Sequence, residues 1–132
     1  MMSRSGYSDD YDDPRVLIMW RGAVASAIKG KRGQTFLKAL LAALDTMEHH
    51  RLIADDLIHD GEVCAIGALG VALGIDMDRL DPEDSDAVAS TFGIAPALAR
   101  EVVYENDEGS PETPEARYVR MREWIKLRIK DV

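Results

Sequence analysis

The sequence predicts an all-α protein, folded as a single-domain irregular bundle of about six helices. Apolar residues recur at three- and four-residue intervals over most of the chain, which is the spacing of one face of a helix. No run shows the sustained alternation of apolar and polar residues that is typical of a half-buried strand. Prolines and glycines stand at the starts and ends of the helical stretches. The length of 132 residues is ordinary for one compact domain.

Two helices are predicted in the first third of the chain. The first covers residues 15–29, with Asp13 as its N-cap and Pro14 in its first turn. The glycine-bounded stretch 30–33 interrupts the pattern. The second helix is predicted over residues 34–47, where leucines share one face. A connection this short favours an antiparallel helix pair.

Residues 61–74 form a short apolar run crowded with small side chains, and they predict a central helix on which neighbouring backbones lie close. Asp60 is the expected N-cap of this helix, and Gly74 is its expected C-terminal glycine. This interpretation places Cys64 in the first helical turn. For residues 48–60 the pattern fits either a helix or a short extended piece.

An acidic link over residues 76–84 follows, and three more helices are predicted from there onwards. Two of them cover residues 82–92 and 96–106. The last begins at Pro114 behind a Thr113 cap, a pairing typical of a helix start. Its apolar stripe consists of Tyr118, Met121, Ile125 and Ile129.

Structural roles are expected for five residues of the second half. Cys64, Gly67 and Ala68 belong to the small-residue helix, where compact side chains permit close packing. Asn106 and Asp107 stand at a helix end before a loop. Their polar side chains are predicted to cap the N-terminus of the small-residue helix in space.

An enzymatic alternative uses Cys64 or Asp107. The dipole of a helix favours a thiolate in its first turn, and one of the three histidines, at positions 49, 50 and 59, would have to serve as the base. Asp107 would act as an acid–base group. No local nucleophile signature accompanies the cysteine, so a small core residue is the favoured interpretation.

No cofactor and no metal site is predicted. Adjacent histidines on a helix, such as His49 and His50, point roughly 100° apart, and no H-E-x-x-H spacing is present. The acids around Asp78 resemble half of a calcium loop. That pattern fails because Leu80 stands at the third ligand position and Asp81 replaces the turning glycine.

The net charge of −8 and the pI near 4.8 argue against general nucleic-acid binding. A nucleic-acid surface formed by the basic last helix and the turn from Lys29 to Arg32 stays open as an alternative. The single cysteine suits a reducing compartment, and no apolar run approaches the roughly 20 residues that span a bilayer. A cytoplasmic protein without a membrane partner is therefore expected.

Two acidic segments are the expected partner-binding surfaces. Residues 1–13 form an acidic N-terminal arm, and residues 14–132 form the helical domain. The arm offers Tyr7, Asp9, Asp10, Tyr11, Asp12 and Asp13, and the acidic link offers Asp76, Asp78, Asp81, Glu83 and Asp84. Tyrosines are common at binding hot spots, and carboxylates speed the encounter with a cationic partner. Trp20 and Trp124 leave a homo-oligomer open, since one small core need not bury both.

Two motifs resemble those of a group of small bacterial and actinophage proteins. They are the run 64–69, Cys-Ala-Ile-Gly-Ala-Leu, and Asn106-Asp107 followed by Thr113-Pro114-Glu115. The whole chain resembles small acidic phage and prophage proteins, through residues 5–10 and 30–34. The resemblance implies a phage accessory origin and supplies no catalytic residue. A non-enzymatic protein that binds a host or defence protein in the bacterial host cytoplasm is the resulting expectation.

Overall fold

The computed structural model describes residues 14–108 and 112–130. The fold is all-α, as predicted, and the described residues form six helices and one small antiparallel hairpin. The helices are α1 (Pro14–Lys29), α2 (Lys31–Asp45), α3 (Ala65–Leu73), α4 (Ser85–Phe92), α5 (Pro96–Asp107) and α6 (Pro114–Arg128). The strands are β1 (Ile58–His59) and β2 (Glu62–Val63), and a 3₁₀ turn covers Met77–Arg79.

Helix α3 lies at the centre of the bundle, between α2 and α5. Its residues 65–70 are all buried, and Gly74 ends it in the left-handed conformation, as predicted. A Cβ built on Gly67 would overlap the carbonyl oxygen of Leu57, and one on Gly70 would meet the sulfur of Met77. Gly67 therefore lets the backbone of one loop lie directly against the helix, and Gly70 makes room for the Met77 side chain.

The core is apolar and draws on every helix that surrounds α3. The most deeply buried large side chains are Leu37, Leu40, Leu44, Leu52, Ile66, Leu98, Val102, Met121 and Ile125. Helix α6 packs on α2, and α1 packs on α2 and α5. Ile18 and Met19 of α1 are exposed, so α1 lies at the edge of the bundle. No helix in the described part of the chain combines the length and the apolar character needed to cross a membrane.

The prediction for the start of α3 was wrong, and a short hairpin lies before it that the sequence did not predict. Asp60 and Gly61 have φ angles of 52° and 79°, and together they form the turn of the hairpin rather than a helix start. Two consecutive left-handed residues match the twist of a two-residue hairpin, and an Asp-Gly pair suits that turn. Helix α3 begins at Ala65, after the second strand of the hairpin, and its N-cap is Cys64.

Helix α2 begins at Lys31, three residues earlier than predicted. Only Gly30, its N-cap residue, separates it from α1. Gly33 does not break the helix. It is buried, and a Cβ there would overlap the carbonyl oxygen of Ala27. This glycine instead allows α1 and α2 to approach closely.

Helix α4 also differs from the prediction. It begins at Ser85 rather than near Pro82, since Asp84 accepts the Ala87 N–H as N-cap at 3.0 Å. Residues 48–57, left open above, form neither helix nor strand. Within them the N–H of Ile53 donates to the carbonyl of Val63 at 2.9 Å, so this segment runs beside the hairpin.

Candidate functional site

The side chain of Asn106 links three parts of the bundle. It is buried at the end of α5, and its Oδ1 accepts the Ala65 N–H at 3.0 Å. Its Nδ2 donates to the carbonyl of Ile53 and to Asp107 Oδ1, both at 2.9 Å. The cap in space that the sequence predicts for the small-residue helix is therefore present, and Asn106 provides it.

Asp107 supports the same junction. Its Oδ1 accepts the backbone N–H of Asp55 at 3.1 Å as well as the Asn106 amide. Asp55 has a φ of 73°, a conformation that costs energy for a residue with a side chain. The Asp107 carboxylate thus helps to hold a strained turn, which is a structural role.

Cys64 is an N-cap with 1% of its surface exposed. Its sulfur accepts the Gly67 N–H at 3.3 Å, and its own N–H donates to the carbonyl of Leu57 at 3.2 Å. Ala68, which follows Gly67 in α3, is also buried. A thiol without access to solvent has no path to a substrate, so the contacts of Cys64 favour the structural prediction over the nucleophile.

The three histidines lie in different surroundings. His50 stacks on the ring of Tyr118 with centroids 4.4 Å apart, and the exposed His59 lies 3.3 Å from Asp60. His49 lines a cleft. In residues 14–108 and 112–130, no three side chains of the His, Cys, Asp and Glu types are arranged to hold a metal ion.

The cleft lies between the end of α2, the hairpin turn and the exposed side of α3, and has a volume of about 460 Å³. Its lining includes the apolar residues Ala43, Met47, Ala68, Val71 and Ala72 and the polar residues Glu48, His49, Arg51, Asp60 and Glu62. Among them, Arg51 and Glu62 form an ion pair at 2.8 Å. A cleft lined by apolar residues and by the three carboxylates of Glu48, Asp60 and Glu62 suits a partner side chain with a long apolar stem and a cationic head.

Two aliphatic side chains stand exposed in the last turn of α3. Val71, which lines the cleft, is 57% exposed, and Leu73 is 60% exposed. The chain then enters the acidic segment, defined here as residues 76–86. Met77 of that segment packs on Gly70, so the acidic segment is folded back against α3. We call Val71, Leu73, the cleft and the acidic segment the α3 surface.

The acidic segment holds its shape through its own carboxylates. Asp76, Asp81 and Asp84 each accept a backbone N–H two or three residues further on, at 2.9–3.1 Å. Asp78 and Glu83 are exposed. Of the nine carboxylates predicted to bind a partner, these five lie in the acidic segment, and three of the five also order its backbone. The other predicted surface, with Tyr7, Tyr11 and the four aspartates of the arm, lies outside the described residues.

Sequence reasoning missed the part played by Arg120. It pairs with Glu112 through two hydrogen bonds, at 2.7 and 2.9 Å, and also donates to the carbonyls of Glu105, Asn106 and Glu108. The hydrogen bond from Arg120 holds the pKa of Glu112 below its ordinary value of 4.5. The spacing of these residues gives no local signal, because Arg120 of α6 reaches back both to Glu112 in the preceding loop and to carbonyls at the end of α5.

No protein-family model matches the chain, and neither does any curated protein or solved structure with which it was compared.

Proposed function

We propose that the protein is a non-enzymatic phage or prophage accessory protein that binds and modulates a bacterial host or defence protein in the host cytoplasm. The binding function is supported by the α3 surface, where the exposed Val71 lines a cleft and the exposed Leu73 lies at the end of α3, just before the acidic segment. The phage origin rests on the resemblance of its motifs to phage proteins.

The apolar part of the α3 surface supplies binding energy. Burying a large aliphatic side chain contributes about 1.5–3 kcal/mol, so Val71 and Leu73 together offer several kcal/mol before the costs of association. The adjoining cleft accepts one side chain of the partner, and its carboxylates suit an arginine or a lysine.

The acidic segment selects the partner by charge. Six carboxylates lie between residues 76 and 86, with Arg79 as the one cation among them. A field of this sign accelerates the approach of a cationic partner and repels acidic ones. Because Asp76, Asp81 and Asp84 already order the backbone, little conformational entropy is lost on binding.

The apolar contacts are tested by capture from bacterial lysate with identification by mass spectrometry. We expect one stoichiometric partner with a cationic surface, retained by the wild type and lost from the double variant Val71→Ser/Leu73→Ser. The matched control is Val119→Ser/Leu127→Ser, which removes two equally exposed aliphatic side chains of α6. Equal loss from both variants, or no partner at all, would contradict the proposal.

The acidic contacts are tested on the purified partner by association kinetics. Asp78→Asn/Glu83→Gln is expected to slow association severalfold at low salt and to have less effect at high salt. Glu115→Gln/Glu123→Gln on α6 removes the same charge elsewhere and should leave the rate unchanged. Deleting residues 1–13 measures separately whether the acidic arm contributes to the affinity.

A further inference from the structure

The net charge of −8 conceals a separation of charge along the chain. Residues 14–44, which form α1 and most of α2, hold six lysines and arginines and no carboxylate. Residues 45–112 hold seventeen carboxylates and three arginines. Since α2 packs against both α1 and the cation-rich α6, the basic elements lie together in the fold.

Gln34 joins two basic segments that are far apart in sequence. Its Nε2 donates to the carbonyls of Ile28 at 2.7 Å and Arg128 at 3.0 Å, and its Oε1 accepts the Lys130 N–H at 2.8 Å. The Nζ of Lys130 donates to the Lys29 carbonyl at 3.1 Å. The turn between α1 and α2 is therefore held against the end of α6.

These contacts create a basic end, made up of Lys29, Lys31, Arg32, Arg128 and Lys130. Within residues 14–108 and 112–130, no carboxylate lies within ion-pair distance of these five side chains. Three other cations of α6 are paired with carboxylates, Arg117 and Arg120 with Glu112 and Arg122 with Asp45. Even with Asp131, the next residue along the chain, the basic end keeps a clear positive excess.

We propose that the basic end binds the phosphate backbone of double-stranded nucleic acid. Lysine and arginine side chains that neutralise phosphates release condensed counterions, which drives binding without base recognition. The guanidinium of Arg128 is held over the Trp124 ring at 4.7 Å, so part of the surface is ordered before contact. The acidic remainder of the molecule repels the duplex and so fixes which end faces it.

The covering of Trp124 favours a duplex over a single strand. Proteins that bind single strands stack bases on accessible aromatic rings. Here Trp124 is buried beneath Arg128, and Phe36 of α2 is buried in the core. A duplex needs no stacking platform, because its phosphates are presented on the outside.

The test is fluorescence anisotropy of a short labelled DNA duplex titrated with the full chain, at about 50 mM and about 200 mM salt. Five phosphate contacts give a slope of log K against log salt of about −4.5, and Lys31→Gln/Arg32→Gln is expected to reduce its magnitude by about 2. This double variant should lose the same factor of affinity for two duplexes of unrelated sequence. The control Arg21→Gln/Arg79→Gln removes the same charge away from the basic end and should bind like the wild type.

Three results would overturn the proposal. They are the absence of duplex binding at the lower salt concentration, an equal loss of affinity in the control variant, and tighter binding of a labelled single strand than of the duplex. Circular dichroism of each variant shows whether the helical fold is kept. The basic end and the α3 surface carry different variants, so this proposal and the proposed function fail independently.

Discussion

Asn106 shows how one buried side chain joins segments that are distant in the chain. It satisfies the N–H of Ala65 at the start of α3 and the carbonyl of Ile53 in the loop. Both groups are backbone groups that would otherwise lack a partner within the bundle. Cys64, the residue directly before α3, caps the same helix, and the two caps together fix where α3 begins.

Replacing Asn106 with leucine is expected to lower the free energy of unfolding by about 2–6 kcal/mol. The substitution leaves the Ala65 N–H and the Ile53 carbonyl unpaired, at about 1–3 kcal/mol each. Urea denaturation followed by circular dichroism measures the loss. Asp107→Asn keeps an oxygen acceptor for Asp55 and should cost less than about 1 kcal/mol. An Asn106→Leu variant as stable as the wild type would refute this role.

Two features bring the elements of this bundle together: glycines that leave room for a neighbouring backbone, and a long side chain that connects two helices across a loop. Gly33 allows the α1 backbone at Ala27 to lie against α2, and Gly67 allows the loop backbone at Leu57 to lie against α3. Arg120 of α6 satisfies carbonyls at the end of α5, where no glycine caps the helix. The packing of the elements therefore depends on a few positions rather than on the apolar stripes alone.

The substitution Gly67→Ala tests the close approach at α3. The added methyl group would overlap the Leu57 carbonyl oxygen, so we expect a loss of about 1–3 kcal/mol in the free energy of unfolding. Gly22→Ala in α1 is the matched control. It meets nothing within 4 Å and should stabilise the protein by up to about 1 kcal/mol through helix propensity. Thermal unfolding of both variants gives the comparison, and effects of the same sign would contradict it.

The Glu112–Arg120 pair predicts how stability depends on pH. Because the hydrogen bond from Arg120 lowers the pKa of Glu112, the ionised carboxylate stabilises the fold above about pH 4.5, and this contribution is lost as the pH falls through the lowered pKa. We expect Glu112→Gln to reduce the free energy of unfolding by about 1.5–3 kcal/mol at neutral pH.

The difference between Glu112→Gln and the wild type should shrink as the pH falls below about 4.5, since protonated Glu112 then resembles glutamine. Urea denaturation at a series of pH values measures it. The exposed pair of Asp45 and Arg122 provides a control, because Asp45→Asn should cost at most about 1 kcal/mol. A gap that stays constant down to acid pH would show that Glu112 acts by packing and not by charge.

The whole molecule is polarised, with a basic end and an acidic body. The acidic body includes the α3 surface, and the basic end is formed by the α1–α2 turn and the end of α6. Two surfaces of opposite sign allow one small protein to contact a cationic protein and a polyanion at once. Such an arrangement is not visible in the net charge, which averages over it.

This polarity predicts unusual chromatographic behaviour. At neutral pH and low ionic strength, we expect retention both on an anion exchanger and on immobilised heparin, although the pI is near 4.8. Lys31→Gln/Arg32→Gln should elute from heparin at lower salt while its retention on the anion exchanger is kept or increased. If the wild type passes through the heparin column without retention, the negative charge of the acidic body outweighs the positive charge of the basic end.

The helices could be predicted from the sequence because their signals are local. Periodic apolar residues, Pro14, Pro96 and Pro114 at helix starts, and Gly74 at a helix end all act within one or two turns. The all-α class and the bundle follow from them. The hairpin was missed because its strands have two residues each, too few for a period to appear.

The sequence by itself determined the helical class, the small-residue helix, the capping role of Asn106 and the acidic character of residues 76–86. Only the tertiary structure decided that Asn106 rather than Asp107 reaches the N-terminus of α3, that Arg120 bonds the last carbonyls of α5, and that Gln34 holds the α1–α2 turn against the end of α6. The physical reason is distance along the chain. Helix signals act between near neighbours, whereas these contacts join residues brought together only when the apolar faces of the helices pack.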